Sequence, residues 1–428
     1  MNIFKLGYNV FCEGSAEGRL LKISQALDKS GEDKTLKILF ITNLVPRENK
    51  TFSGIFVVKR LQQLKRFDIS YEAVPLVFTY SKLFSLLERL LKRDISEPLK
   101  KFEGVHFRTG ILEWDLSSSL KFRLQRDYYK SLVLSCVNRI EQLVGVSTFD
   151  LIHAHGMYNV PAGMVAQALA ERYQKPFVVT LHGSDVNILM PKRKQEYSAA
   201  LESASKVISV SNAVLEKAKT YGYSGKNAVV IPNGYDPEVF KPMDKKIVRK
   251  ELDIHEKGYK YIGFVGSLKP IKRADKLGKI FHLIAKEIPN TMFIVVGDGP
   301  LKDKIEKEAK DLNVIFTGKL PQKDVGRWMN AMDVMVLPSR NEGWPCVVLE
   351  AQACGTCVVG SDNGGIPEAI GFEEYVVKEE KDFEKRFAEK TIRVLKDGYD
   401  REVFINRARE FSWNKVVERE IAIYSRVV

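Results

Sequence analysis

The segment NEGWPCVVLEAQACG holds two glutamates, Glu342 and Glu350, with seven residues between them. Asn341, Gly343 and Pro345 mark a turn, and the apolar run that follows suits a helix with Pro345 at its first position. Glu342 then lies on a loop and Glu350 on a helix. A helix N-terminus beside a glycine-containing turn presents unpaired N–H groups and the positive end of the helix dipole, which suits a phosphate. Glu350, about one turn inside at roughly 1.5 Å per residue, falls where the next part of a phosphate ester reaches along the helix. A carboxylate there can accept both hydroxyl hydrogens of a ribose diol. Glu342, before the helix start, would meet whatever is attached beyond the phosphates, and a carboxylate is a strong acceptor for sugar hydroxyls. The spacing reads as a ruler for ribose, diphosphate and sugar, whereas Glu350 taken alone would be a solvated helix residue.

A second way to hold a diphosphate places a metal on Asp-x-Asp at a strand end, and the chain contains no such triplet. Glu113-Trp114-Asp115 comes nearest and is expected in a loop, away from the strand ends. The chemistry is therefore expected to need no metal and no other cofactor. Cysteines stand at 12, 136, 346, 354 and 357, an odd set typical of reduced thiols. Cys354 and Cys357 form one CxxC with no second pair or suitable histidine, and the segment runs on into the strand-like TCVVGSD, so the motif reads as incidental.

From residue 36 the chain alternates short β-branched runs with helix-like segments. KILFITNL, VVTLHG, KVISVS and AVVIPN end in turn residues, and AGMVAQALAERY and NAVLEKAKTYG are amphipathic companions. After the lysine-rich stretch DPEVFKPMDKKIVRKELDIHEKG the pattern restarts with YIGFVGS, TMFIVVGDG, NVIFTG, DVMVLP and TCVVGSD. Continuous apolar strands separated by helices imply parallel sheets covered on both faces. The expectation is an α/β protein with two Rossmann-like, doubly wound domains joined near 236–258 and facing a cleft. In such sheets ligands bind beyond the carboxyl ends of the strands, which here carry HAHG, LHGSD, PNG, VGSLKPIK, GDGP and PSRNEG. The glycines of GDGP are expected simply to turn the chain.

A chain of 428 residues with 45% hydrophobic residues has material for two or three domains. No apolar stretch is long enough to span a membrane and the N-terminus lacks a signal core, so a cytoplasmic protein is expected. Of the net charge of +13, most belongs to residues 1–235, with 33 basic and 22 acidic side chains against 34 and 32 in the remainder. That imbalance fits an anionic partner for the first half, or scattered solvated lysines. No recognition motif accompanies it, so nucleic acid is not an expected partner.

Glu342 and Glu350, embedded in PSRNEGWPCVVLEAQACGTCVVGSDNGGIPEAI, resemble the donor-site motif of glycosyltransferase family 4, retaining enzymes of the GT-B fold. PRENKTFSGIFV, DLIHAHG, TLHGSD, IPNGYD, FVGSLKPIK, VVGDGP, FTGKLP and FSWNKVVEREIAIY follow the family order, and the likeness covers roughly 36–428. The resemblance implies an acceptor domain over 36–240, a nucleotide-sugar donor domain over 241–411, and a last helix, 412–428, returning to the first domain. Residues 1–35 are an extension without an assigned role. It implies that Glu350 holds the ribose, that Glu342 contacts the donor sugar, and that backbone around Gly343, Trp344 and Cys346 lines sugar and diphosphate. Lys272 would neutralise the leaving diphosphate, His182 would sit under the sugar, Gly54 would close over the phosphates, and the backbone near Lys319 and Leu320 would meet the base. Ser267 stands among the donor-binding positions where many relatives carry arginine, a loss that Lys269 or Arg273 is placed to offset.

The expected function is transfer of a sugar from a nucleoside diphosphate sugar to a hydroxyl of a glycan or lipid-linked acceptor in cell-surface polysaccharide synthesis. A nucleotide-sugar epimerase of the same fold and a non-catalytic nucleotide-sugar-binding protein are the alternatives. His155 is a candidate acceptor contact and, with His153, equally a packing residue. Asp185 is a candidate for holding the LHGSD turn. The segment SKLFSLLERLLKR, 81–93, gathers leucines on one helical face beside four basic residues, which suits either an anionic membrane surface or a core-facing helix.

Overall fold

A computed structural model describes residues 35–80, 97–109, 112–114 and 128–428. These divide into two compact units, one from residue 35 to Ile231 together with Val416–Val428, the other Pro232–Lys415.

The N-terminal unit is built on a six-stranded parallel sheet. Its elements are β1 (Lys37–Thr42), α1 (Ile55–Leu64), β2 (Ser70–Pro75), β3 (Leu151–His155), α2 (Ala162–Tyr173), β4 (Phe177–Leu181), β5 (Lys206–Ser209) and β6 (Ala228–Val230). The strand order is β6-β5-β4-β3-β1-β2. The central strands β3 and β4 are buried at every position and β1 at all but its first, which explains their unbroken apolar sequence. Thr42, His155 and Thr180 lie opposite one another at the carboxyl ends of β1, β3 and β4. The chain order reverses between β1 and β3, and such a switch point opens a crevice at the strand ends.

The second unit repeats the plan with β7 (Lys260–Val265), α3 (Leu277–Glu287), β8 (Thr291–Val296), β9 (Val314–Gly318), β10 (Val334–Leu337), α4 (Cys346–Ala353), β11 (Cys357–Ser361) and β12 (Val376–Val377). Its order, β9-β8-β7-β10-β11-β12, puts the switch point between β7 and β10. Phe264, Leu277, Phe281, Phe293, Val336 and Phe387 lie in its core. Phe281 and Phe293 stack at 4.2 Å between centroids, a contact worth about 1 kcal/mol beyond the area it buries. The last helix, α5 (Trp413–Val427), contributes its residues from Val416 onward to the N-terminal unit.

Three readings of the sequence change here, and one strand went unread. Ser70–Pro75 is a strand, hidden from pattern reading because an edge strand keeps polar Ser70 and Glu72 partly solvated. The lysine-rich stretch expected as a joint carries a helix, Lys245–Glu251, started by the Asp244 side chain accepting from the N–H of Lys246 and Ile247 and packed through Lys245 Nζ on the Met332 carbonyl at 2.7 Å. Glu113 and Trp114 belong to a short strand, Leu112–Trp114, paired with Phe78–Tyr80, rather than to a loop, and Asp115 lies outside the described residues. Pro345 is the N-cap of α4 and not its first residue, since its extended backbone (ψ 95°) precedes the helical run. The leucine-rich segment 81–93 and residues 1–34 also lie outside the described residues. Among those described, no helix is long and apolar enough to cross a membrane.

Candidate active site

In the second unit the sequence candidates gather where β7 and β10 diverge. Beyond β10, Pro338–Pro345 form the loop that leads into α4, and Arg340 N–H donates to the Ile271 carbonyl at 2.8 Å, so this loop lies against the turn Pro270–Lys272 that follows β7. That contact brings Lys272 to Glu342, and the two form a close, partly exposed ion pair. A second loop props Glu342 from behind. Gly365 N–H donates to its carbonyl at 2.8 Å, and a Cβ on Gly364, whose φ is 57°, would stand 2.3 Å from that same oxygen. Only glycine fits there. This support was not recognised in the sequence, although the Asn-Gly-Gly run of DNGG is a turn signal that could have found it.

Helix α4 reads CVVLEAQA, apolar on every side, and five of its eight residues are buried. Glu350 is its one ionisable carboxyl and lies half-buried, with no hydrogen bond or ion pair among the described residues. Burial, and then the neighbouring Asp236 carboxylate, push its pKa up to about 7. Asp236 belongs to the IPNGYD segment and was given no role from sequence. A carboxyl kept on an apolar helix without a partner is costly, a cost that hydroxyl donors of a ligand would offset. The N-cap Pro345 offers no side-chain acceptor to the first turn of α4. Trp344, just before it, is buried against Phe411 with ring centroids 5.7 Å apart, and its indole N–H has no partner among the described residues. Gly343 and Cys346 are half-buried on either side of that turn, and Leu320 is half-buried after β9.

Ser267 follows Gly266 at the end of β7 and is half-buried. Of the two cations placed to stand in for the missing arginine, Arg273 is committed elsewhere. It has left-handed backbone (φ 50°), which turns its side chain inward, where the guanidinium pairs closely with Glu379 and lies 4.6 Å over the Phe383 ring. A hydrogen bond from Asn363 and then Arg273 itself hold the Glu379 carboxyl below its usual range. Lys269 is exposed and its ammonium faces no carboxylate among the described residues. Gly297 does more than turn the chain, because a Cβ there would meet the Gly266 carbonyl at 2.0 Å.

The N-terminal unit gathers different chemistry at its own switch point. Gly54 is the N-cap of α1 with φ 66°, and a Cβ on it would lie 2.3 Å from the Leu44 carbonyl carbon and oxygen, so it lets the helix start seat against the loop after β1. His182 follows β4, half-buried, with its ring 4.6 Å from Phe56 and its Nε2 3.1 Å from His155 Nδ1. His155 is wholly buried beneath it, so any part it plays runs through His182 and not through direct contact with an acceptor. His153 is buried deeper, hydrogen-bonded to Tyr424 and Thr180. Burial first, with added repulsion from Arg60, holds all three imidazoles well below their ordinary pKa, so they are neutral at pH 7. Asp185 accepts from the N–H groups of His182, Gly183 and Val186 and so holds the LHGSD turn, followed by one turn of π-helix over Asp185–Leu189.

Among the described residues no three His, Cys, Asp or Glu side chains converge as a metal site. Cys354 and Cys357 are separate buried thiols, each pushed up in pKa by desolvation.

Residues 244–411 match the family described as glycosyl transferases group 1, and residues 117–239 match glycosyltransferase family 4. The chain is 30% identical to a putative teichuronic acid biosynthesis glycosyltransferase of Bacillus subtilis over 80% of its length and 85% of that protein. It is 27% identical to the N-acetyl-alpha-D-glucosaminyl L-malate synthase of Bacillus anthracis, over 73% and 88%. Among solved structures, Anabaena HepE in complex with UDP superposes with a TM-score of 0.66 at 19% identity, over 91% of this chain and 100% of that one.

Proposed function

The chain belongs to the group 1, family 4 glycosyltransferases, with the GT-B fold, and from that membership we propose a retaining transfer of a sugar from a nucleoside diphosphate sugar to a hydroxyl of a cell-surface glycan or its lipid-linked precursor. The observation that carries this reading is the pair Glu342 and Glu350 on the two sides of the α4 N-terminus, with Lys272 held on Glu342. The relative from Bacillus subtilis, named for teichuronic acid biosynthesis, supports a cell-surface polymer as the product's destination. The neighbour bound to UDP supports a nucleoside diphosphate donor.

On this reading the second unit takes the donor. Glu350 accepts from the ribose diol, the backbone from Gly343 to Cys346 lines sugar and diphosphate, and Leu320 borders the base. Donor binding exchanges the Glu342 carboxylate on Lys272 for phosphate oxygens, which releases Glu342 to the hydroxyls of the sugar. As the glycosidic bond breaks, negative charge grows on the diphosphate, and Lys272 with the α4 N-terminus stabilises it, each such preorganised contact being worth about 3 kcal/mol. No metal is assigned a role in that step. The N-terminal unit takes the acceptor, with Gly54 and His182 as the residues of that unit assigned to the substrates. A front-face displacement, in which the leaving phosphate oxygen assists the incoming hydroxyl, gives retention and leaves Glu342 as an orienting group.

A panel of UDP, GDP, ADP and their common sugars, read by thermal shift with the whole chain and with Glu350→Ala, tests the donor site. One nucleotide is expected to stabilise the protein with EDTA present, and the variant to lose that shift. Equal stabilisation of the variant, or a shift that appears only with a divalent ion, would sink the assignment.

A further inference from the structure

Beneath His182 the N-terminal unit buries a continuous polar chain. Arg60 of α1 and Glu420 of α5 are both wholly buried, with Arg60 Nε 2.7 and 2.8 Å from the two carboxylate oxygens. One helical turn on, the Tyr424 hydroxyl stands 3.3 Å from Glu420 Oε2 and 2.8 Å from His153 Nδ1, while His153 Nε2 is 2.7 Å from Thr180 Oγ1. The His153 ring lies 4.4 Å from that of His155, which stacks on His182 at 5.3 Å under the Phe56 ring.

The donors in this chain can be assigned by elimination. Burial pushes the Glu420 carboxyl up, but the always-protonated guanidinium, whose Nε–H the two oxygens share, keeps it ionised, so it can only accept. The Tyr424 O–H therefore donates to Glu420, and its oxygen accepts from His153 Nδ1–H. The neutral imidazole is then left with a lone pair at Nε2, which accepts from the Thr180 hydroxyl. That is the tautomer less favoured by free histidine.

We propose that Glu420 and Tyr424 are positioning residues for His182: they hold His153 as a neutral, Nδ1-protonated ring, and this fixed ring sets the orientation of His155 and His182 stacked above it. The uncharged state agrees with the buried surroundings of all three histidines. The proposal rests on the reading that His182 serves the transfer. Without the lock, His153 can turn over or change tautomer, and the rings above it lose their floor.

The test is ring-nitrogen NMR of the full chain with 15N-labelled histidine, beside steady-state kinetics. His153 should carry its proton on Nδ1 in the unsubstituted protein. Tyr424→Phe keeps the packed ring and removes the hydrogen bonds. It should move the His153 and His182 signals and lower kcat by roughly 10- to 100-fold, as a displaced reacting group does, with KM for the nucleotide sugar and the nucleotide thermal shift unchanged. Glu420→Gln, whose amide can donate, should move the His153 proton toward Nε2. A proton on Nε2 in the unsubstituted protein overturns the proposal, as does Tyr424→Phe with unaltered kcat or an unmoved His182 signal. Should His182→Ala keep full turnover, the functional reading fails instead, and the His153 tautomer still reports separately on the lock.

Discussion

The two switch points use the same topology and fill it in opposite ways. In the N-terminal unit the crevice between β1 and β3 is underlain by rings and by charges removed from water: Phe40, His153, His155 and His182 above, the Arg60–Glu420 pair and Tyr424 below. In the second unit the ends of β7 and β10 carry charges that remain at the surface, with Lys272 and Glu342 still 24% and 14% exposed and Glu350 half-buried on its apolar helix. A buried pair is costly to break and fixes geometry, whereas a pair that keeps part of its solvent contact is exchanged for another anion at lower cost. The first unit is thus built to hold a shape and the second to trade partners.

The sharpest way to break that contrast is to remove one carboxylate from each. Glu420→Ala should destabilise the protein by about 3–5 kcal/mol, because the Arg60 charge loses its buried counterion. Glu342→Ala should cost stability only about 0–1 kcal/mol, as a partly exposed pair does, yet lower kcat roughly 10²- to 10³-fold. Chemical denaturation beside initial rates measures both. Equal losses of stability would erase the distinction.

A smaller effect is expected from the glycines that let backbones approach. Gly54→Ala and Gly364→Ala each force a left-handed residue and a contact of 2.3 Å, and each should cost about 1–3 kcal/mol of stability. Both should also weaken nucleotide-sugar binding, Gly364→Ala because the oxygen it strikes is that of Glu342 and Gly54→Ala because Gly54 is itself a proposed donor contact. Calorimetry with the nucleotide found in the panel measures both losses.

The mildest prediction concerns pH. Glu350 has its pKa raised to about 7 in the folded chain, above its unfolded value, so folding binds a proton between those values. The group therefore costs stability as pH rises from the unfolded pKa through 7, and Glu350→Gln should gain stability at pH 8 and little at pH 4. On the proposed donor reading binding has the opposite sign, because the ionised carboxylate would be the form that accepts from both ribose hydroxyls. Affinity for a nucleoside diphosphate sugar should rise up to about tenfold per unit below pH 7 and level above it, and the variant should show no such slope.

Much of the second unit was legible because its inner strands are buried on both faces, and because FVGS, VVGDG and FTG each put a glycine at or just past a strand end. Glu342 and Glu350 were legible as a spacing, since a turn and a helix start fix the distance between them locally. What the sequence hid depended on backbone direction or on distant partners. Lys272 and Arg273 are neighbours of the same charge, and only the left-handed φ of Arg273 sends one inward to Glu379 and leaves the other on Glu342. His155 and His182 end adjacent strands, and the depth of each ring is set by Phe40 and Phe56 packed from separate elements. Helix Lys245–Glu251 was missed because a two-turn helix with one buried side chain leaves too short an apolar stripe to see.

The Arg60–Glu420 pair also orders events on the ribosome. Arg60 emerges 360 residues ahead of its carboxylate, an interval of roughly 20–70 s at ordinary translation speed. Throughout that time the first sheet can assemble, but its guanidinium must stay hydrated, so the interior beneath the histidines closes only when the closing helix has been made.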